Sequence, residues 1–202
     1  MVGMSRPGIN PTTFAGLLQR TRELTNRSFG VNFIIFPELW RQRGDDPHEF
    51  VAQAAKVSRV VEFFLMEPDP EYVRIVHDQG ALASWQVGSP EAALKAAEAG
   101  CDLIVAQGVE AGGHVVDKIG LMDLLCEVLE AVPDVPVLAA GGIGTGRAMA
   151  AALAAGADGV RVGTRFVASK EADMHPVYTD ALIAANAKDS AYCRVQQGCS
   201  AT

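Results

Sequence analysis

Residues 89–108 read SPEAALKAAEAGCDLIVAQG and contain one complete helix-to-strand unit. Ser89 and Pro90 open the helix, because serine caps a helix N-terminus and proline fits the first helical turn. Gly100 closes it, since glycine readily adopts the left-handed conformation that ends many helices. The apolar run that follows has the length and composition of a buried strand. The stretch therefore predicts an α/β fold.

The same alternation extends in both directions along the chain. Five more helical segments, PTTFAGLLQRTRELT, DPHEFVAQAAKV, DPEYVRIVHDQG, GLMDLLCEVLEAV and GRAMAAALAAGA, lead to the strands FGVNFII, VVEFFL, LASWQV, PVLAAGG and DGVRVGT. With DLIVAQG these are six strands, preceded by a stub at residues 1–4. This order is typical of a parallel sheet covered by helices. An open doubly wound sheet and a closed (β/α)₈ barrel both satisfy it.

Composition limits the organisation and the partners of the chain. A length of 202 residues, with 49% hydrophobic and 20% charged residues, predicts a single globular domain over residues 1–202. The net charge of −7 disfavours nucleic acid as a partner, because nucleic-acid binding needs a concentrated cationic surface. Apolar runs such as VPVLAAGGI are far shorter than the roughly 18 residues of a membrane span.

The cysteines and the N-terminus indicate a location. Cys101, Cys126, Cys193 and Cys199 form no CxxC pair, which predicts reduced thiols and no metal site. The first residues, MVGMSRPGINP, lack the layout of a secretion signal. We therefore expect a cytoplasmic protein.

The segment QGVEAGGHV, residues 107–115, places a histidine directly after two glycines and just beyond a strand. Barrel and doubly wound enzymes place their sites at this end of the strands. An imidazole can take or give a proton at neutral pH. His114 is therefore the candidate base, whereas His48, His77 and His175 fall in a helix start, a helix interior and a turn.

Two glycine clusters follow the last two strands. Gly141, Gly142, Gly144 and Gly146 precede a helix, and Gly163-Thr164 repeats the arrangement one strand later. Amides at a helix N-terminus bind anions, and glycine lets a phosphate approach closely. The alternative is that these glycines only permit tight turns. The second cluster favours the phosphate site.

Polar residues interrupt several apolar strands. Asn32 lies inside GVNF, and Gln86 and Gln107 lie near the ends of their strands. A buried amide needs a hydrogen-bond partner, so Asn32 is expected to meet backbone or a ligand. Arg161 alternates with two valines in GVRVGT. We expect its guanidinium to meet an anion or to extend into solvent.

Taken together, these residues resemble a known family. GVNF, QGVEAGGH, AAGGIGTGRAMAAALAAGADGVRVGTRF and HPVYTDALIAA are similar, in the same order, to segments of the nitronate monooxygenases, formerly called 2-nitropropane dioxygenases. The FMN-dependent enoyl-acyl carrier protein reductases are related. The resemblance implies a (β/α)₈ TIM-barrel fold that holds FMN non-covalently at the carboxyl ends of the strands.

The resemblance also implies a role for each site residue. His114 would be the catalytic base. Three residues would lie along the isoalloxazine and ribityl chain, namely Asn32, Gln107 and Gly112. The phosphate would be held by Gly142, Gly163 and Thr164, with Arg161 and Val162 alongside.

Relative to the family, the barrel lacks the first strand and part of the second. The two exposed sheet edges that this leaves predict a homodimer or a rearranged edge, because unpaired edges invite pairing. The implied function is FMN-dependent oxidation of alkyl nitronates and nitroalkanes with dioxygen. Two alternatives stay open: an NAD(P)H-dependent flavin reductase acting on quinones or enoyl thioesters, and a truncated, non-catalytic barrel that acts as a binding or assembly module.

Overall fold

The computed structural model describes residues 2–4, 10–35, 40, 42, 44–172 and 174–192. The chain divides into two compact units, Met1–Arg161 and Val162–Thr202. The first unit contains the whole sheet and the helices that cover it. The described residues of the second unit form short helical segments, and the single-domain organisation stays a prediction.

The described part of the first unit forms one parallel sheet of seven strands. The N-terminal stub is its first strand, and the other six lie where the apolar runs predicted them. The strands are β1 (Val2–Met4), β2 (Gly30–Ile34), β3 (Val60–Phe64), β4 (Leu82–Val87), β5 (Leu103–Gln107), β6 (Val137–Ala140) and β7 (Gly159–Arg161).

Helices alternate with these strands, as the sequence predicted. In the first unit they are α1 (Pro11–Leu24), α2 (Pro47–Val57), α3 (Pro70–Asp78), α4 (Pro90–Glu98), α5 (Leu121–Ala131) and α6 (Gly146–Ala154). Four begin with a capping side chain followed by proline, which satisfies a terminal amide and presets the first turn. These pairs are Asn10-Pro11, Asp46-Pro47, Asp69-Pro70 and Ser89-Pro90.

The strand order decides between the two architectures that the sequence left open. The order is β1-β2-β3-β4-β5-β6-β7, and each strand pairs in parallel with its successor. A doubly wound sheet reverses direction at a switch point, whereas a barrel is wound in one direction. The first unit therefore has the winding of a (β/α) barrel.

One side-chain contact shows that this sheet is strongly curved. Arg161 Nη1 on β7 lies 2.6 Å from Glu62 Oε1 on β3, although three strands separate them in the sheet. In a flat sheet these two strands would be about 19 Å apart. An arginine and a glutamate side chain are too short to bridge that distance. The sheet must therefore curve, and the face that carries these two side chains is concave.

The convex face packs against the helices through aromatic rings. Phe63 is fully buried and stacks on Trp85, with ring centroids 4.7 Å apart, and also on Phe33 at 6.2 Å. Phe14 of α1 and Phe50 of α2 extend the cluster, with centroids 5.4 Å apart. Most of the hydrophobic core lies in this layer between the sheet and its helices.

Two aspartates in similar positions fix the amino ends of the strands. Asp102, just before β5, accepts a hydrogen bond from the Ala83 amide on β4 at 2.8 Å. Asp158, just before β7, accepts from the Val137 amide on β6 at 2.8 Å. Asp102 also lies 2.8 Å from His77 Nε2, so that histidine has a partner at the end of the barrel opposite the predicted site.

The second unit begins directly after β7. It contains the short helix α7 (Thr164–Val167), the helix α8 (Pro176–Ala184) and a 3₁₀ turn, Ala187–Asp189. None of these segments contains a buried residue. His175, predicted to lie in a turn, is the N-cap residue of α8.

Two cysteines can be placed, and both are free thiols. Cys101 is buried, and this burial, with Asp102 beside it, raises the pKa of its thiol to about 12. Cys126 is exposed on α5. Cys193 and Cys199 lie outside the described residues. Among the helices described, none is both long and apolar enough to cross a membrane.

The aromatic layer yields a stability prediction. Phe63→Ala should lower the free energy of unfolding by about 3–5 kcal/mol, because it removes a ring from a packed core and leaves a cavity. Urea denaturation measures the change. Leu24→Ala is the matched control, since Leu24 is 71% exposed and should shift stability by less than about 0.5 kcal/mol. Equal effects would contradict this description of the core.

Candidate active site at the carboxyl ends of the strands

The concave face of the sheet carries most of its polar side chains. Asn32, Glu62 and Ser84 are paired across β2, β3 and β4. Side chains at paired positions of parallel strands lie on the same face, and so do residues two apart on one strand. Gln86 therefore shares this face. Gln107 and Arg161 are linked to it through the register of β4 to β7.

Glu62 connects three of these strands. Its Oε1 accepts a hydrogen bond from Asn32 Nδ2 at 2.8 Å and forms the 2.6 Å ion pair with Arg161. Arg161 Nη1 also donates to Gln86 Oε1. The partner of the Asn32 amide nitrogen is thus a carboxylate, whereas the sequence suggested backbone or a ligand. The sequence predicted that Arg161 would either meet an anion or extend into solvent. It meets an anion, which is the Glu62 carboxylate of the same chain.

The environment of Glu62 opposes its charge. The residue is only 1% exposed, and burial raises the pKa of its carboxyl, while Arg161 and the Asn32 hydrogen bond act in the opposite direction. The Arg161 side chain is 28% exposed. The carboxylate of this ion pair is therefore enclosed in the barrel, whereas the guanidinium side chain is partly accessible to solvent.

Two buried oxygens on this face have no hydrogen-bond partner among the described residues. They are Ser84 Oγ and Gln107 Oε1. Gln107 uses its other amide atom, Nε2, to donate to the His114 carbonyl oxygen at 2.9 Å. An unsatisfied buried acceptor is costly. Gln107 Oε1 therefore marks a position where a ligand N–H or O–H group would be favourable.

The loop from residue 107 to residue 121 is held by hydrogen bonds to its surroundings. The Gly108 amide donates to the Ala140 carbonyl on β6 at 2.9 Å, and the Val109 amide donates to the Ile119 carbonyl at 2.9 Å. The Glu110 carboxylate accepts from the Leu121 amide at 2.9 Å. Since Gly120 provides no side-chain cap, Glu110 takes over the N-terminus of α5.

Gly108 is required by close packing within this loop. A Cβ built at Gly108 would lie 2.5 Å from Leu121 Cα and would also collide with the Glu110 carboxylate. Gly142, after β6, has a φ of +62° and faces the Glu110 side chain. The two glycine-rich segments therefore meet at Glu110, a residue to which the sequence had assigned no role.

The N-terminus of α6 offers a place for an anion. Thr145 caps this helix by accepting from the Ala148 amide, and the first turn contains no acidic residue. A Cβ at Gly144 or Gly146 would meet no atom within 4 Å, so the backbone here is open. Open amides at the positive end of a helix dipole suit a phosphate.

A cavity of about 430 Å³ lies beside the loops that follow β2 and β3. Trp40, Tyr72 and Met66 give it an apolar wall, and three carboxylates line the remainder, those of Asp45, Asp46 and Asp69. Burial, together with the nearby carboxylates, raises the pKa of Tyr72 to about 12. An anionic group is disfavoured in such a cavity and favoured at α6.

The structure connects some of the predicted site residues and leaves others separate. Asn32 is joined to Arg161 through Glu62, and Gln107 is bonded to the His114 backbone. His114 and Gly112 are exposed in the same loop. Three residues belong to the second unit, where Gly163 is the N-cap of α7: Val162, Gly163 and Thr164.

Sequence reasoning missed Glu62, Ser84 and Glu110. A signal existed for Glu62, because an acidic residue inside the apolar run VVEFFL must find a partner when buried. Ser84 and Glu110 gave no comparable signal, since serine is common in strands and Glu110 lies in a polar loop.

The fold defines a (β/α)-barrel protein, with a candidate ligand site at the carboxyl ends of its strands. Residues 18–201 match the family model described as nitronate monooxygenase. The chain therefore belongs to the nitronate monooxygenase family, as the sequence motifs indicated.

Individual relatives agree with this assignment. FabK from Thermotoga maritima is 35% identical, with a TM-score of 0.78 over 91% of this chain and 56% of FabK. Nitroalkane oxidase from Streptomyces ansochromogenes is 34% identical, with a TM-score of 0.75 over 85% of this chain and 60% of the oxidase.

A curated relative matches over nearly the whole chain. The (3aS,4S,5R,7aS)-5-hydroxy-7a-methyl-1-oxo-octahydro-1H-indene-4-carboxyl-CoA dehydrogenase of Rhodococcus jostii is 34% identical over 93% of this chain and 50% of its own length. The chain spans about half the length of the curated relatives it matches.

The packing at Gly108 yields a second stability prediction. Gly108→Ala should destabilise the protein by about 1–3 kcal/mol, because the added methyl group forces the backbone of the loop and of α5 apart. Gly16→Ala is the matched control. Gly16 is exposed in α1 with no atom near its Cβ position, so alanine should stabilise by about 0.5–1 kcal/mol. Thermal unfolding of both variants checks the opposite signs.

Proposed function

We propose that the chain is the flavin-binding part of an FMN-dependent oxidoreductase that oxidises alkyl nitronates with dioxygen. The observation that carries this proposal is the polar concave face, with the buried and unpartnered Gln107 Oε1 near its end. Membership of the nitronate monooxygenase family, whose members are flavoenzymes, supports it.

The described residues fit a flavin ring. The isoalloxazine has a pyrimidine ring in which an N–H group stands between two carbonyl groups, and the ribityl chain attached to it carries hydroxyl groups. Gln107 Oε1 needs a hydrogen-bond donor, which a ribityl hydroxyl would provide. In this proposal Asn32, Gln107 and Gly112 lie along the isoalloxazine and the ribityl chain.

A second group of residues would hold the phosphate. The open backbone before α6 provides amides and a favourable helix dipole, and Gly142 belongs to that turn. We assign the phosphate to Gly142, Gly163 and Thr164, with Arg161 and Val162 beside it. Arg161 contributes positive charge, which the ion pair with Glu62 holds in place.

His114 would act as the base toward a neutral nitroalkane. Its imidazole takes the acidic proton from the carbon that bears the nitro group, and the substrate becomes a nitronate. The Gln107 hydrogen bond to the His114 carbonyl holds the backbone of the base near the end of β5. When bound, the flavin supplies the oxidation of the nitronate, with dioxygen as the final electron acceptor.

A second candidate substrate is a CoA thioester. The relative from Rhodococcus jostii that covers 93% of this chain is named as a carboxyl-CoA dehydrogenase. A thioester, like a nitro group, acidifies the hydrogen on the adjacent carbon, so the same base would serve. Bleaching of bound flavin by a CoA thioester, without bleaching by a nitronate, would favour this reading.

The assembly and location of the protein stay predictions. In the described sheet, β1 and β7 each pair with a single strand, which keeps the proposed homodimer reasonable. Sedimentation of the purified protein would measure the oligomeric state. A cytoplasmic location remains our expectation from the cysteines.

Flavin binding tests the proposal directly. The purified protein should quench the fluorescence of added FMN and should bind FMN at least about tenfold more tightly than riboflavin, because charge-assisted hydrogen bonds hold the phosphate. Gly144→Asp should remove this preference, since it places a carboxylate beside the α6 amides. Its riboflavin affinity should stay unchanged. Failure of the unsubstituted protein to bind either flavin would overturn the proposed function.

The role of His114 can be tested by kinetics. His114→Ala should lower turnover of neutral nitroalkanes by about 10²–10⁴, whereas turnover of preformed nitronate should change little, because its proton is already gone. His77→Ala serves as the matched control, since His77 pairs with Asp102 at the amino end of the strands. Equal losses on both substrates would exclude the proposed role.

A further inference from the structure

Glu62 is a buried acid that the proposed function does not use. It is 1% exposed and lies in the middle of β3. Its Oε1 accepts from Asn32 Nδ2 at 2.8 Å and from Arg161 at 2.6 Å. An oxygen that already receives two donors acts only as an acceptor, whatever the charge of the carboxyl group.

We propose that Glu62 is a positioning residue of the ligand site, which fixes the ends of the Asn32 and Gln86 amides that face the ligand. The inference rests on the proposed flavin function for the identity of the ligand. The orientation of the amides follows from the hydrogen bonds alone.

Asn32 is fixed directly by Glu62. A primary amide has a donating nitrogen end and an accepting oxygen end, and the two are similar in size. Because Glu62 Oε1 only accepts, Asn32 must turn Nδ2 toward it. Asn32 Oδ1 is then the atom that is left to accept a hydrogen bond from a ligand.

Gln86 is fixed through Arg161. A guanidinium group only donates, so Gln86 must turn Oε1 toward Arg161 and is left with Nε2 as a donor. The ion pair with Glu62 holds the guanidinium in the position where it meets Gln86. Without Glu62, Asn32 would lose the acceptor that fixes its nitrogen end, and the guanidinium that orients Gln86 would lose the ion pair that positions it.

The result is a defined pattern of donors and acceptors. Asn32 Oδ1 and Gln107 Oε1 are acceptors, and Gln86 Nε2 is a donor. This pattern suits a flavin in which the imide N–H donates to Asn32 Oδ1, a neighbouring ring carbonyl accepts from Gln86 Nε2, and a ribityl hydroxyl donates to Gln107 Oε1. A ligand whose imide nitrogen is alkylated would lose its donor and leave Asn32 Oδ1 without a hydrogen bond.

A purely structural role for Glu62 predicts a different effect on flavin affinity. The ion pair also joins β3 to β7, so its loss would weaken the curved sheet. In that case all flavins would lose affinity by the same factor. A positioning role predicts in addition a change in the preference between riboflavin and its N3-methyl derivative.

The test uses Glu62→Gln and these two flavins, which lack the phosphate. The unsubstituted protein should prefer riboflavin over N3-methylriboflavin. In Glu62→Gln the new amide can donate to Asn32, so Asn32 can turn round, and the preference should fall by about tenfold. Fluorescence quenching measures both affinities. Equal losses for the two flavins, or an unchanged preference, would overturn the inference.

Controls separate this result from general damage. Glu91→Gln makes the same chemical change on the exposed first turn of α4 and should leave both affinities unchanged. Unfolding temperatures of the ligand-free variants report any loss of stability independently. If the unsubstituted protein binds neither flavin, the proposed function fails. Hydrogen exchange then tests the orientation of the Asn32 amide independently.

Hydrogen exchange in the ligand-free protein keeps the inference testable if Glu62→Gln does not fold. The side-chain amide protons of Asn32 should exchange slowly, because Glu62 holds them. The side-chain amide of Asn26, which is exposed, provides the internal reference for rapid exchange. Exchange at Asn32 as fast as at Asn26 would show that Glu62 does not hold the amide, and the inference would be wrong.

Discussion

The ion pair between Arg161 and Glu62 links the curvature of the sheet to the chemistry of its concave face. It joins β7 to β3 across the interior, which requires strands that are far apart in the sheet to approach each other. Burying a carboxylate is costly unless it is paired and hydrogen-bonded, and Glu62 has both kinds of partner. In the proposed site, the same contact orients the amides of Asn32 and Gln86.

The two faces of the sheet have different roles: one packs against the helices, and the other carries the candidate site. Successive side chains point to opposite faces. On β3, Phe63 enters the aromatic layer under the helices, while its neighbour Glu62 enters the polar interior. The stability of the barrel therefore depends mainly on one set of alternating positions, and the candidate site is built from the other. Residues on the convex face can therefore be substituted without altering the polarity of the candidate site.

Much of the local structure could be predicted because its causes are local. The Ser89 cap, the proline after it and the glycine at position 100 mark α4 within a residue or two, and Gly100 has a φ of +91° as a helix terminator should. The polar interruptions Asn32 and Arg161 were recognised as candidates. Their mutual partner was not, because Glu62 and Arg161 are about a hundred residues apart along the chain. No periodicity connects them.

The sequence by itself determined the alternation of helices and strands, the family motifs and the positions of the polar residues within the strands. These depend on side-chain periodicity and on capping, which act over a few residues. The tertiary structure alone decided that the strands wind in one direction, that Glu62 holds Asn32 and Arg161, and that Glu110 caps α5. The first two depend on contacts between segments that are distant in sequence, and the third depends on how the loop from residue 107 to residue 121 folds back onto α5.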